Sequence, residues 1–546
     1  MTPPLLRMFS LLALLGAAAF THAGDGPQSA PDLVLHNGKV FTGDPQRPEA
    51  GALAIRGERV VALGDDDTVL ALADEGTERI DLRGRRVVPG INDAHEHLGW
   101  QPPPGIRLDL PEPDPTGAEV EAALSAQPKT DDEWIRGQIG ARVFTDLSWN
   151  RARLDALQPT RPVVLFVLTG HGLLLNGAAI RELGVDPSVA VPGGWYGRDA
   201  QGDFDGRLFE YAGWKAVRRY PRPGDEVEIE RLRGYADAAS KSGITSVQSM
   251  SWLPLPRFVE LWQRSGAPQR LRAIRWPRIT SDDPGIPGLD LPRTLPGTRI
   301  EVSGTKWILD GTGFDQASPM REPYPDTGRN GRLNFSADEL RTTLQEIVAR
   351  DDQILLHVIG DAATETALDV MASIAPPDVW RARRVRFEHG DGLAPDLLPR
   401  AAGFGIVVVQ NPSHQMIPDE LPVFQAIRER QLSPFADLLA AGIALAIGSD
   451  GPSDPWLNMM FATAIPTRPE QSLTREQVLR AYTEGSAYAE FKEHEKGRLA
   501  PGYLADLVVL SQDVLDETAV PTQALPKTRS LLTVIGGETA WRDPDF

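Results

Sequence analysis

An apolar run that closes on two histidines, Val88-Pro89-Gly90-Ile91-Asn92-Asp93-Ala94-His95-Glu96-His97, is the segment from which the rest of the chain is most readily interpreted. Residues two apart in an extended chain point the same way, so His95 and His97 offer two imidazoles to one side. The strand expected here covers 87–91 and is apolar on both faces, the pattern of a buried parallel sheet. Similar runs recur at 244–248, 271–276, 302–309, 353–358, 384–387, 405–409 and 443–447. Amphipathic stretches at 227–240, 337–349 and 362–374 separate several of them. Eight strands with crossover helices predict an α/β fold, a (β/α)8 TIM barrel over residues 87–497. The gap between the first two runs is too long for one helix, which makes about 105–225 an insertion rich in Trp, Gly and Pro.

Outward from the barrel, both ends are β-rich. Residues 32–36 lead through Asn37-Gly38 into 39–42, and 52–55 lead through Arg56-Gly57 into 60–63, which are hairpin signals. Runs at 505–510 and 532–537 resemble them. Neither end alone has enough strands to bury a core, so 24–86 and 498–546 are expected to combine into one small composite β-sandwich domain. The first 23 residues read as an address: Arg7, an apolar run over 8–20, then Thr21-His22-Ala23. That is the layout of a secretory signal, too short for a convincing bilayer span. The mature protein is therefore expected in the periplasm or secreted, and free of the membrane after cleavage.

Composition narrows the functions. With 41% hydrophobic and 24% charged residues the chain is not globally disordered. A formal charge of −19 repels phosphate backbones and argues against a nucleic-acid partner. The absence of cysteine excludes disulfides, thiolate metal ligands, cysteine nucleophiles and thiol-linked lipid anchors.

The chemistry gathers at strand ends. Of nine histidines, His95 and His97 follow the first expected strand, His357 ends the fifth and His389 the sixth. Asp450, in Gly448-Ser449-Asp450, follows the eighth. Loops after barrel strands converge on one face, where residues distant in sequence meet. Taken singly, each histidine is better explained as a satisfied core residue and Asp450 as a turn cap before Gly451-Pro452. Four imidazoles and a carboxylate at the same end of different strands are instead a donor set for zinc or a related divalent ion.

In these motifs and in their order, the chain resembles the amidohydrolase superfamily, and within it the YtcJ-like, N-substituted formamide deformylase-like branch. Further matching stretches are Gly304-Thr305-Lys306-Trp307-Ile308-Leu309-Asp310-Gly311, His357-Val358-Ile359-Gly360-Asp361-Ala362, Phe387-Glu388-His389, and residues 497–508. The resemblance implies that His95, His97 and Asp450 bind the more buried metal and that His357 and His389 bind a second ion where one is present. It places Lys306 where some members carry a carboxylated lysine bridging two metals; a salt-bridged barrel lysine is the plainer alternative. It implies a metal-dependent hydrolase of amide-like C–N bonds in a small-molecule substrate, with Asp450 moving the proton. Dimers are common among such enzymes, so a homodimer is the assembly it implies. His171 in the insertion and His414 after the seventh strand are weaker substrate-binding candidates. Trp100, Trp149, Trp195 and Trp214 are candidates for either a pocket or packing, while His22, His36 and His494 receive no role. The same site would serve an esterase or lactonase, and a non-catalytic periplasmic binding or regulatory protein is the alternative outside enzymes.

Overall fold

A computed structural model describes residues 29–546 apart from 101–104, 112–113, 130–132, 278–285, 326, 351, 417–433 and 467. The expected leader, 1–23, lies outside the described residues. The barrel is an all-parallel eight-stranded sheet: β1 (Ile91–Glu96), β2 (Ile244–Ser249), β3 (Arg270–Arg275), β4 (Ile300–Ile308), β5 (Ile354–Val358), β6 (Arg386–His389), β7 (Val407–Gln410) and β8 (Ala444–Ile447). Neighbours pair in chain order from β1 to β8. The ring is completed just past β8, where the Asp450 amide donates to His95 O at 2.9 Å and the Ser449 amide to the Asp93 carboxylate at 2.9 Å. Ring closure and site assembly therefore use the same residues.

The first expected strand is shifted. Arg86–Pro89 belongs to the β domain, parallel to Lys39–Phe41 and antiparallel to Leu507–Leu510, and the barrel begins only at Ile91. Val87, Val88 and Ile91 are all buried, so hydrophobicity runs unbroken across two different sheets and marks no boundary. Gly90 is the crossing point. Its amide donates to Asp506 O at 2.9 Å, and a Cβ there would stand 2.1 Å from Thr245 Oγ1 on β2. As a consequence, His95 lies inside β1 instead of beyond it.

The two ends of the chain form two packed sheets. One is made wholly from the amino-terminal side, in the order Arg59–Gly64, Ala52–Arg56, Leu33–His36, Glu78–Asp81. The other mixes both ends, in the order Glu538–Arg542, Ser530–Ile535, Leu507–Leu510, Arg86–Pro89, Lys39–Phe41, Glu49–Ala50. Leu35, Leu53 and Ile55 meet Leu507, Val509 and Leu532 in the core between them. Short strands from both termini, buried along nearly their whole length, let two incomplete halves share one interior.

The insertion has its own six-stranded sheet, in the order Gly194–Arg198, Phe204–Glu210, Gly172–Leu175, Val163–Val167, Ile135–Ile139, Ile106–Arg107. Trp149 is buried in its core beneath the Arg153 guanidinium, and Trp195 stacks on Phe209 with ring centres 5.1 Å apart. Both are packing residues, and Trp100 is largely exposed. The helix Tyr211–Val217 that follows leans on the barrel: the Ile308 amide donates to the Tyr211 hydroxyl at 3.0 Å, and the Trp214 ring lies 5.6 Å from that of Trp276. No helix of the described residues is long and apolar enough to cross a membrane.

Candidate metal centre

At the carboxyl ends of the barrel strands, imidazoles converge on Asp450. One of its carboxylate oxygens lies 3.8 Å from His95 Nε2 and 3.6 Å from His97 Nε2. The other lies 3.7 Å from both His389 Nε2 and His414 Nε2. Two donor clusters therefore share one carboxylate, His95–His97–Asp450 and His389–His414–Asp450. Asp450 and His389 both have positive φ, 42° and 66°, a backbone strain of the kind held at functional sites by their surroundings.

The ring orientations are fixed from behind. His97 Nδ1 stands 2.8 Å from Met250 O, an acceptor only, so Nδ1 carries the proton and Nε2 keeps its lone pair. His389 Nδ1 stands 2.8 Å from Asn411 Oδ1, whose amide nitrogen donates to Gly448 O at 3.0 Å and so fixes which end of Asn411 faces the ring. His95 Nδ1 lies 2.6 Å from Glu388 Oε2, and Glu388 is gripped in turn by Arg386 at 2.7 and 3.0 Å. Outer partners that hold metal-binding imidazoles in one tautomer take this form. Burial, followed by the neighbouring Lys306, lowers the pKa of His95 and His97, which keeps them neutral donors. Burial opposes ionisation of Asp450, yet His95, His97, His389 and His414 hold its carboxyl well below the usual range.

The donor set fits a metal. His95 Nε2 and His97 Nε2 are 3.3 Å apart, matching the separation of about 3.4 Å for two nitrogens bound tetrahedrally at ~2.0–2.1 Å. Among the described residues, the buried Nε2 of His357 has no hydrogen-bond partner, and its ring centre is 4.5 Å from that of His389. A buried imidazole nitrogen left open in this way is costly unless a ligand takes it. His357 stands outside both clusters sharing Asp450, whereas His414, expected to reach substrate, stands in one of them. Lys306 is buried, and its Nζ lies 2.9 Å from His95 Nε2 and 3.3 Å from His97 Nε2; its neighbours are imidazoles in place of the carboxylate of an ordinary salt bridge. Burial pushes its pKa from 10.5 down to about 8.

His171 is carried in from the insertion. Its ring centre is 4.9 Å from that of His357, and its Nδ1 lies 2.9 Å from Glu210 Oε2. Trp276 and Trp252 form a wall beside His97, with ring centres 4.9 and 6.2 Å from it. Sequence reasoning gave no role to Glu210, Asn411 or Arg386, and Glu388 entered within the Phe387-Glu388-His389 motif. Adjacency to His389 was the available signal for Glu388; nothing local marked Glu210, 39 residues from His171.

One prediction arises here. A Cβ on Gly448 would stand 2.3 Å from the His95 amide nitrogen and 2.4 Å from His95 Cβ. Gly448→Ala is expected to displace His95 and weaken metal binding by roughly 10–100-fold with the fold retained, as read by competitive metal titration alongside circular dichroism. Unchanged affinity would show that β8 does not position His95.

Comparison with known proteins agrees with this geometry. The chain is 28% identical to the protein LONG AFTER FAR-RED 3 of Arabidopsis thaliana, over 93% of this chain and 91% of that one. It is 26% identical to the putative amidohydrolase YtcJ of Bacillus subtilis, covering 85% and 90%. Identity to the N-substituted formamide deformylase of Arthrobacter pascens is also 26%, covering 93% and 97%. Among solved structures, an uncharacterised metal-dependent hydrolase from Pyrococcus horikoshii shares the fold with a TM-score of 0.66 at 22% identity, covering 89% and 98%. The amidohydrolase family profile matches residues 78–540, from the last strand of the amino-terminal sheet to the end of the β domain. Spanning both the barrel and the domain that closes on it, this match establishes that the chain belongs to the amidohydrolase family and is a metal-dependent hydrolase acting on carbon–nitrogen bonds.

Proposed function

We propose that the protein is exported and that it hydrolyses an amide-like bond of a small molecule with zinc, one ion or two, held by His95, His97, His357, His389 and Asp450. The observation that carries this reading is the shared carboxylate: its two oxygens face His95, His97 and His389 nitrogens whose opposite sides are already engaged. An ion held there would polarise the scissile carbonyl and lower the pKa of bound water to ~7. The remaining work falls to the chain. Asp450, kept ionised, accepts the proton of the attacking water on a carboxylate oxygen and returns it to the leaving nitrogen. His171, backed by Glu210, is placed to donate to the substrate, and the Trp252–Trp276 wall keeps bulk water away from His97.

Lys306 is carboxylated in this reading. An ammonium so close to two ligand nitrogens repels a cation and offers no lone pair, whereas a carbamate offers two anionic oxygens. The test is metal analysis of protein purified without chelator, labelled bicarbonate to reveal the carbamate, and a panel of N-acyl amines, N-acyl amino acids, esters and lactones. Bound zinc, a carbamate resonance and amide turnover that chelation abolishes and zinc restores are expected. Metal-free protein, or turnover of esters and lactones alone, would overturn the reading.

A further inference from the structure

Just past the helix Tyr211–Val217, the guanidinium of Arg218 enters the seam between the insertion and the barrel mouth. Its Nη2 donates to Ser251 O at 3.3 Å. Its Nε and Nη1 are buried and, among the described residues, make no hydrogen bond. Among the described residues no carboxylate offsets the charge: burial and the nearby Arg222 both act against it, and they push the pKa from 12.5 down to about 9. A guanidinium holds its donors in a fixed fork shaped for a carboxylate, and leaving a buried charge without a counter-ion is strongly unfavourable. Among the described residues Arg218 thus lacks what an anionic ligand would supply.

Its position ties that vacancy to the active site. Ser251, which Arg218 touches, follows Met250, whose carbonyl orients His97. Trp214, one turn back on the same helix, packs on Trp276, and the indole nitrogen of Trp276 is a second buried donor without a partner among the described residues. Trp252, Trp276 and Trp214 pack ring to ring from beside His97 to the helix that ends at Arg218. A substrate lying along these rings would need an apolar or aromatic body with an anion at its far end.

We propose that Arg218 binds a carboxylate of the substrate, so that the hydrolysed molecule is an amide bearing a free carboxylate beyond an apolar or aromatic body, as in an N-acyl amino acid. This rests on the amide-hydrolase reading above and narrows it. A charge-assisted bond of this kind contributes a factor of roughly 10–100 in affinity.

The experiment uses the zinc-loaded full-length protein in two arms. Calorimetry compares phenylacetate with its neutral isostere phenylacetamide, and kinetics compare N-acetylphenylalanine with N-acetylphenylalaninamide. Wild type is expected to prefer the carboxylate partner in each pair by roughly 10–100-fold, and Arg218→Gln to lose that preference, through KM more than kcat. Arg218→Lys, which keeps the charge but not the fork, retains part of it and serves if the glutamine variant fails to fold. A carboxylate preference that survives Arg218→Gln, or is absent from wild type, overturns the proposal. Failure of the amide reading looks different: neither acetylated compound is turned over, while the phenylacetate arm still reports on Arg218.

Discussion

Asp450→Asn is expected to lower kcat by roughly 10²–10⁴-fold, the range that general acid–base catalysis contributes, while metal content falls far less. The substitution is close to isosteric, and asparagine tolerates left-handed backbone nearly as well as aspartate, so the φ of 42° at this position adds no new strain. What disappears is a carboxylate able to take a proton and give it back. His95, His97 and His389, oriented by Glu388, Met250 O and Asn411, remain to hold the ion. Single-turnover rates on any amide substrate, measured beside metal analysis of the same sample, separate the two effects. Wild-type rates at wild-type occupancy would remove Asp450 from the chemistry and shift the search for the proton carrier to His171 or His414.

The candidate metal ligands were legible because barrel strands end on one face and because the chemistry proposed for them uses imidazole and carboxylate there. His95, His97, His357, His389 and Asp450 needed no knowledge of loop geometry, only strand order. The supporting shell was much less legible. Arg386 reads as an ordinary charged residue until β6 turns its side chain into a barrel interior shared with Gln248 of β2 and Ala94 of β1, contacts 138 and 292 residues away. Glu210 comes from a sheet whose docking onto the barrel no local pattern announces. The shift of the first strand has a similar cause: two sheets of different domains share one unbroken apolar run, and only the close packing of Gly90 on Thr245 reveals where one ends. His414 departs from expectation because the short turn after β7 carries its ring to Asp450, while His357 sits within β5 with its ring beside those of His389 and His171.

The buried pair behind His95 gives the second large effect. Arg386 and Glu388 are both fully buried, joined by two hydrogen bonds, and Arg386 also donates to Gln248 at 2.5 Å and to Ala94 O at 2.7 Å. Burial acts against the Glu388 carboxylate, but Arg386 and then His95 hold its pKa well below the usual range. Arg386→Met removes the charge that makes this possible and leaves a carboxylate uncompensated in the barrel core, which should destabilise the protein by about 3–5 kcal/mol. Glu388 then takes up a proton near neutral pH, His95 Nδ1 loses its anionic acceptor, and metal affinity falls as well. A double variant, Arg386→Met with Glu388→Leu, separates the two consequences. Replacing both charges with apolar side chains should restore most of the stability, because no ion is left buried alone. It should not restore metal binding, because His95 still lacks the partner that fixes its tautomer. Thermal midpoints and zinc occupancy of wild type, single and double variants provide the check: recovery of occupancy together with stability would show that Glu388 serves only the packing of the barrel and not the orientation of His95.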